Sequence, residues 1–346
     1  LAEYHLRTKD KSVLKTLEST LDLLWEAQWK APNKADFYRI EIETGKSILI
    51  GKALAYTGEL SADGRYFSYY TSAGQKWILL DIEKQSSVCM NCARKEIRWE
   101  EDLNGQPMEA GPVGYVGFTK NAKEVCFQSE YDIWSYDIAA KTLKSISNES
   151  ATKDKIELRF MKYNLDSAWL DLQDGYFIGL RKSNKNEILY LYKQSGLQSI
   201  FEISQRIAGI QKAENTNIFT LRQMDVRTYP DLWLLPDYNY DNAKRISVAN
   251  PQQSTYNWAT VETVKWTAYD GQQLEGLLYK PENYDPSKKY PLLFYYYELN
   301  SDNLHNYQAP KPSASIINPT EYASGGYLVF VPDIRYQAGK PAQGAY

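Results

Sequence analysis

The run Thr267-Ala-Tyr-Asp-Gly-Gln-Gln-Leu-Glu-Gly-Leu-Leu-Tyr-Lys-Pro281 decides how this chain is read, together with Lys288-Lys-Tyr-Pro-Leu-Leu-Phe-Tyr-Tyr-Tyr297 and Gly326-Tyr-Leu-Val-Phe-Val-Pro-Asp-Ile-Arg335. Asp270-Gly271 is a hairpin turn signal, because Gly reaches positive φ without steric cost. An apolar strand follows it, then a loop rich in Pro, Asn and Asp. Pro291–Tyr297 and Tyr327–Val331 are short and wholly apolar. Such runs predict central strands buried on both faces of a covered sheet.

Upstream the pattern changes. Residues 30–250 repeat a loose unit: an apolar strand, a polar turn, a second strand carrying Trp or Tyr, then an acidic residue before a Lys/Gly turn. Asp36–Lys46 ends one copy. Ser61–Tyr70 with Lys76–Glu83, Phe118–Phe127 with Tyr131–Ile138, Gln173–Leu180 with Glu187–Tyr192, and Asn217–Arg222 with Asp231–Leu235 form the others. The copies recur at roughly the period of propeller blades, each a small sheet that buries its faces only by stacking on neighbours. About five such units are predicted. The alternative is a β-sandwich with irregular loops. Only Lys11–Trp25, with Leu14, Leu17, Leu21 and Leu24, has helix-like spacing. The polar stretch Ala249–Asn257 separates the repeats from a fresh strand over Val261–Trp266. The expected organisation is a partial β-propeller over 1–250 and the first strands of a second domain over 251–346.

Composition narrows the function classes. The 346 residues carry 40 Lys and Arg against 43 Asp and Glu, a net charge of −3. No long basic run occurs, so a nucleic-acid partner is not expected. No apolar run approaches a membrane span. The 29 Tyr favour strands. Leu1–Arg7 is not a signal peptide. A start at Leu1 rather than at methionine points to processing or to a piece of a longer chain. Cys89 and Cys92 form a C-x-x-C whose readings are a redox pair, a metal half-site, a disulfide or two ordinary thiols in a loop. With no second ligand pair nearby, ordinary thiols are the expected state. No metal, nucleotide or redox cofactor motif is present, and no cofactor is expected.

The order and residues of these elements resemble the prolyl oligopeptidase family of serine peptidases, in its dipeptidyl-peptidase-IV-like branch. The likeness rests on the run from Ala249 through Tyr297 and on Gly326–Gly339. Arg98–Pro107, Gly114–Phe118 and Tyr131–Trp134 look most like long bacterial secreted or periplasmic members. The resemblance implies a mainly β fold, propeller blades followed by the opening of an α/β-hydrolase domain. It also implies a periplasmic or secreted location, a short peptide as substrate, with cleavage after Pro or Ala, and a homodimer as the assembly. It further implies a Ser-Asp-His triad with its serine in a G-x-S-x-G elbow. No such elbow occurs in these 346 residues, so the triad is expected beyond Tyr346 and further blades before Leu1. The segment alone is then expected to be inactive. A non-catalytic propeller that binds peptides or proteins is the alternative.

One functional position carries over, and two further candidates stand beside it. The family places an oxyanion-stabilising tyrosine at the end of the strand after Lys288–Leu293, which corresponds to Tyr297; the other reading is a sheet tyrosine with a satisfied hydroxyl. The family commonly has small residues next, whereas Glu298-Leu299-Asn300 follows here. Strand alternation puts Tyr295 on the face of Tyr297 and Tyr296 on the other. Glu100 and Glu101 correspond to a glutamate pair that binds the substrate's amino terminus, or else form an acidic surface turn. Arg335 either contacts substrate or forms a salt bridge. His305 precedes the expected serine, against the Ser, Asp, His chain order, and is expected on a surface loop.

Overall fold

The structure is a computed structural model that describes residues 32–56, 58–163, 167, 169–193, 196–311, 313–340 and 342–343. Lys11–Trp25, whose spacing fits a short helix or a strand–turn–strand, lies outside the described residues. The chain is mainly β and divides into two compact units. The first comprises residues up to Leu103 with Pro107–Val113, and the second comprises Asn104–Gln106 with Gly114–Tyr346.

In the first unit, β1 (Ala35–Ile40) and β2 (Ser47–Leu54) form a two-stranded antiparallel sheet. β3 (Glu59–Leu60), β4 (Tyr66–Thr71), β5 (Lys76–Asp81) and β6 (Ser86–Cys89) form a four-stranded antiparallel meander. Its core is aromatic. Tyr70 and Trp77 are register partners with rings 5.3 Å apart, edge to face, and both are fully buried. The acidic residue closing the inner strand shapes what comes next. Asp81 Oδ1 accepts the Lys84 N–H at 3.1 Å and so fixes the turn.

Cys89 and Cys92 are joined by a disulfide, with Cα atoms 5.6 Å apart. This corrects the expectation of ordinary thiols. The loop between them buries Asn91, whose Oδ1 accepts the Trp77 N–H at 2.9 Å and whose Nδ2 donates to the Gln75 carbonyl at 2.8 Å. That double anchor brings the two sulfurs together, a long-range constraint that the spacing does not reveal. Cys126 is a buried free thiol, and burial pushes its pKa up to about 12.

The second unit holds three more four-stranded meanders. The first is β7 (Gly114–Phe118), β8 (Glu124–Gln128), β9 (Ile133–Asp137) and β10 (Thr142–Ser145). A short helix α1 (Ser150–Asp154) leads to β11 (Ile156–Lys162), β12 (Gly175–Arg181), β13 (Glu187–Lys193) and β14 (Gly196–Ile203). β15 (Arg206–Lys212), β16 (Phe219–Met224), β17 (Asp231–Leu235) and β18 (Lys244–Arg245) complete the third. The middle sheet is buried on both faces. Phe177 and Ile188 pack with Cys126 and Ile133 of the preceding sheet. Tyr176, Ile178, Leu189 and Leu191 pack with Phe219, Leu221 and Leu235 of the following one. Alternate residues of β12 and β13 thus serve two cores, as stacked propeller blades require.

The last sheet is mixed. β19 (Ala259–Thr267) and β20 (Gln273–Pro281) pair across the expected Asp270-Gly271 turn, where Gly271 has φ +87°. β21 (Leu292–Phe294) and β22 (Leu328–Pro332) are parallel, and the order is β19-β20-β22-β21. Between the parallel strands runs helix α2 (Pro319–Ser324), capped where Asn318 Oδ1 accepts the Glu321 N–H at 3.1 Å. Its Ala323 covers one sheet face with Leu277, Tyr279, Val329 and Val331. Tyr327–Val331 is thus central, as its sequence predicts. Pro291–Tyr297 is not: its strand is three residues long, ends the sheet order, and leaves Leu292 and Phe294 exposed. Apolar composition alone does not separate a central strand from an outer one.

Candidate functional site

In the mixed sheet two parallel strands end side by side, and ligand sites in open sheets of this kind form off the carboxyl ends of strands. Leu293 and Tyr295 face the core under α2. Phe294 and Tyr296 point the other way, into a cavity of about 460 Å³ shared with Trp266, Phe330 and Arg335. Tyr295 and Tyr296 thus lie on opposite sides, but the strand ends at Phe294, so its alternation does not extend to Tyr297. Tyr297 comes after the strand has ended and is 69% exposed. Arg335 is likewise exposed, on the loop that leaves β22. The structure places both side chains on loops at the same end of the sheet.

The loop after Tyr297 is held firmly. Glu298 adopts φ +58°, and its carbonyl accepts the Ile334 N–H at 2.8 Å. Asn300 donates its side-chain N–H to the Tyr297 carbonyl at 2.7 Å. The buried Asp333 accepts the backbone N–H groups of Asn300 and Ser301 at 2.5 and 2.9 Å. A carboxylate taking two amide donors is a strong, directional anchor.

Behind this loop lies a charged clasp. Lys185, on the turn between β12 and β13, is 3% exposed by side chain. Its ammonium donates to Glu275 on β20 and to Asp302, the latter at 3.1 Å. Lys182 also grips Asp302, and the Ser301 hydroxyl donates to Glu275 at 2.9 Å. Burial alone lowers the Lys185 pKa, but its bonds to Glu275 and Asp302 outweigh this and raise it above the usual lysine value. Burial likewise opposes ionisation of Asp302, and the two lysines outweigh it and hold that carboxyl below its ordinary range. Both groups stay charged. Sequence reasoning missed Lys185 and Asp333; the one signal was Asp333 immediately after a strand end.

Glu100 and Glu101 belong to the first unit. Residues 99–101 run antiparallel to 111–113: Glu100 bridges Pro112, the Glu101 N–H donates to the Gly111 carbonyl at 2.9 Å, and the Val113 N–H to the Trp99 carbonyl at 3.1 Å. The buried Trp99 anchors the segment through its N–H to Gln75 Oε1 at 3.1 Å. Tyr56 donates its hydroxyl to the Glu109 carbonyl at 2.5 Å. Burial raises the Tyr56 pKa, and the charges of Glu109, Glu101 and Glu100 raise it further. Burial, then Glu100, does the same to Tyr70. The segment is held by an isolated antiparallel bridge, with Glu101 exposed, and the negative charges of Glu109, Glu101 and Glu100 act on the Tyr56 hydroxyl.

His305 lies in a turn, as expected of a loop residue, but it is half-buried rather than on the surface, and its shielded Nε2 has no hydrogen-bond partner. Burial, the largest influence, lowers its pKa and keeps the ring neutral, against the opposing effects of Asp225 and the Asn184 backbone. Among the described residues no group of three or more His, Cys, Asp or Glu converges as metal ligands do, and no helix is long and apolar enough to cross a membrane.

No protein-family model matches the chain. No curated protein matches it either. Among solved structures it is similar to the crystal structure of a candidate dipeptidyl aminopeptidase IV from Bacteroides ovatus, at 14% identity and a TM-score of 0.52. The match covers 91% of this chain and 47% of that one, so the chain spans about half the length of the protein it resembles. The chain has a fold like that of a dipeptidyl-peptidase-IV-type protein.

Proposed function

We propose that this chain is a segment of a serine-type peptidase of the prolyl oligopeptidase kind, in its dipeptidyl-peptidase-IV-like branch. In this reading residues 1–250 are propeller blades that restrict access to short peptides, and 251–346 open the α/β-hydrolase domain. Cleavage proceeds through an acyl-enzyme whose serine, aspartate and histidine lie outside these 346 residues. The observation that supports the proposal is that Tyr297 lies on the loop following a strand parallel to β22, and that Asp333 pins this loop through Asn300 and Ser301.

Each residue has a distinct role. The Tyr297 phenol donates to the oxyanion of the tetrahedral intermediate, where a fixed donor favours the transition state over the bound peptide. Arg335 takes a substrate carbonyl or carboxylate. Glu100 and Glu101 accept from the substrate's ammonium, which supports removal of dipeptides from a free amino terminus. The disulfide between Cys89 and Cys92 supports a periplasmic or secreted location.

The test uses the longest natural chain that contains these residues. Chromogenic Xaa-Pro and Xaa-Ala dipeptide anilides should be hydrolysed, and their N-acetyl counterparts should not. Equal rates on free and acetylated substrates would remove the role of Glu100 and Glu101. No turnover of either would favour a non-catalytic peptide-binding module.

A further inference from the structure

The tripeptide Asn104-Gly105-Gln106 packs onto the loops that follow β21 and β22. Asn104 is 7% exposed; its Nδ2 donates to the Ile334 carbonyl at 2.9 Å and its Oδ1 accepts the Tyr336 N–H at 3.3 Å. One side-chain amide thus satisfies the backbone on both sides of Arg335, as a neighbouring strand would. Gly105 has φ +77°, and a Cβ there would lie 2.3 Å from the Tyr336 carbonyl oxygen. Only glycine permits this approach. Gln106 Nε2 donates to Glu298 Oε1 at 3.0 Å, on the residue after Tyr297. The Glu298 carbonyl in turn accepts from Ile334.

We infer that Asn104-Gly105-Gln106 is a positioning element for Tyr297 and Arg335. It ties the two loops to each other from outside the sheet, so the reach of the phenol and of the guanidinium is set by three residues far upstream in the chain. A buried amide with both ends bonded, a glycine with no room for a methyl group, and a side-chain bond to Glu298 point to the same contact. The catalytic consequence rests on the role proposed for Tyr297; the positioning itself does not.

The test places 3-fluorotyrosine at position 297 of the 346-residue chain and reads its fluorine resonance beside hydrogen exchange at the Tyr336 amide. Gly105→Ala should speed that exchange on the order of tenfold and shift or split the fluorine signal. Exchange at Phe177 and Leu189, in the remote meander, should not change. Gln106→Ala, milder because it leaves the backbone approach intact, should move the fluorine signal alone and serves if Gly105→Ala does not fold. An unmoved fluorine signal in folded variants would overturn the inference. If the signal moves while Gln106→Ala leaves turnover by the longest natural chain at the wild-type rate, the positioning stands and the catalytic role of Tyr297 falls.

Discussion

Asp333, at the carboxyl end of β22, accepts the backbone N–H of Ser301 at 2.9 Å. The same oxygen takes the N–H of Asn300. Through this contact the end of one parallel strand fixes the loop that leaves the other. The shape of the candidate site therefore depends on a residue that faces away from solvent.

Removing that acceptor should be costly. Asp333→Ala leaves two amide donors without a partner and should lower stability by about 2–4 kcal/mol, and Asp333→Asn, which keeps a neutral acceptor, by about 1 kcal/mol. Urea denaturation of both variants measures the difference. Equal losses would mean that packing, not the two hydrogen bonds, maintains the shape of the loop.

Lys185 should behave as a buried charge with committed partners. Lys185→Met removes the ammonium and leaves Glu275 and Asp302 facing each other across Ser301. Because both carboxylates are part-exposed and keep Lys182 and Lys265 as partners, the loss should be about 1–3 kcal/mol. Combining Lys185→Met with Glu275→Gln should cost less than the sum of the two changes, which a double-mutant cycle would read. Strict additivity would show that the clasp contributes nothing jointly.

The clasp also sets a pH response. Asp302 has a lowered pKa in the folded chain. Its contribution is therefore present above the unfolded value of about 3.9 and is lost as pH falls through the lower folded value. Lys185, whose folded pKa is raised, contributes below about 10.4 and loses that contribution only at more alkaline pH. Between these limits the clasp is insensitive to pH. Denaturation midpoints of wild type and Asp302→Asn should differ near neutrality and converge as pH drops below about 4.

The cysteines give a direct count. In the native chain Cys126 should resist alkylation, being buried with a raised thiol pKa. After denaturation without reductant one thiol should react, and after reduction three, as the Cys89–Cys92 disulfide opens. Loss of this short cross-link should cost about 2 kcal/mol. Mass spectrometry of the alkylated chain checks both numbers.

The inner strands of every meander were legible in the sequence. β4 and β5, β8 and β9, β12 and β13, and β16 and β17 each overlap a repeated motif to within one or two residues, because inner strands carry the aromatic and apolar residues that two cores demand. The outer strands were not. Glu59-Leu60, Thr142–Ser145 and Lys244-Arg245 are short and polar, and they are strands only because a neighbour pairs with them. Tyr297 could be located by counting along an apolar run, but its anchoring could not. That depends on Asp333 and Gln106, which share no local pattern with it. The disulfide was misread for the same reason, since Asn91 and Gln75 meet only in the folded sheet.

The central claim is that these residues belong to a serine peptidase whose nucleophile lies outside them. It is tested most directly by treating the 346-residue chain and the longest natural chain containing it with a fluorescent fluorophosphonate. The account predicts that the longer chain is labelled on one serine, in a G-x-S-x-G elbow, and that the 346-residue chain is not. A labelled serine within the 346 residues, or an unlabelled longer chain that still hydrolyses dipeptide anilides, would contradict it.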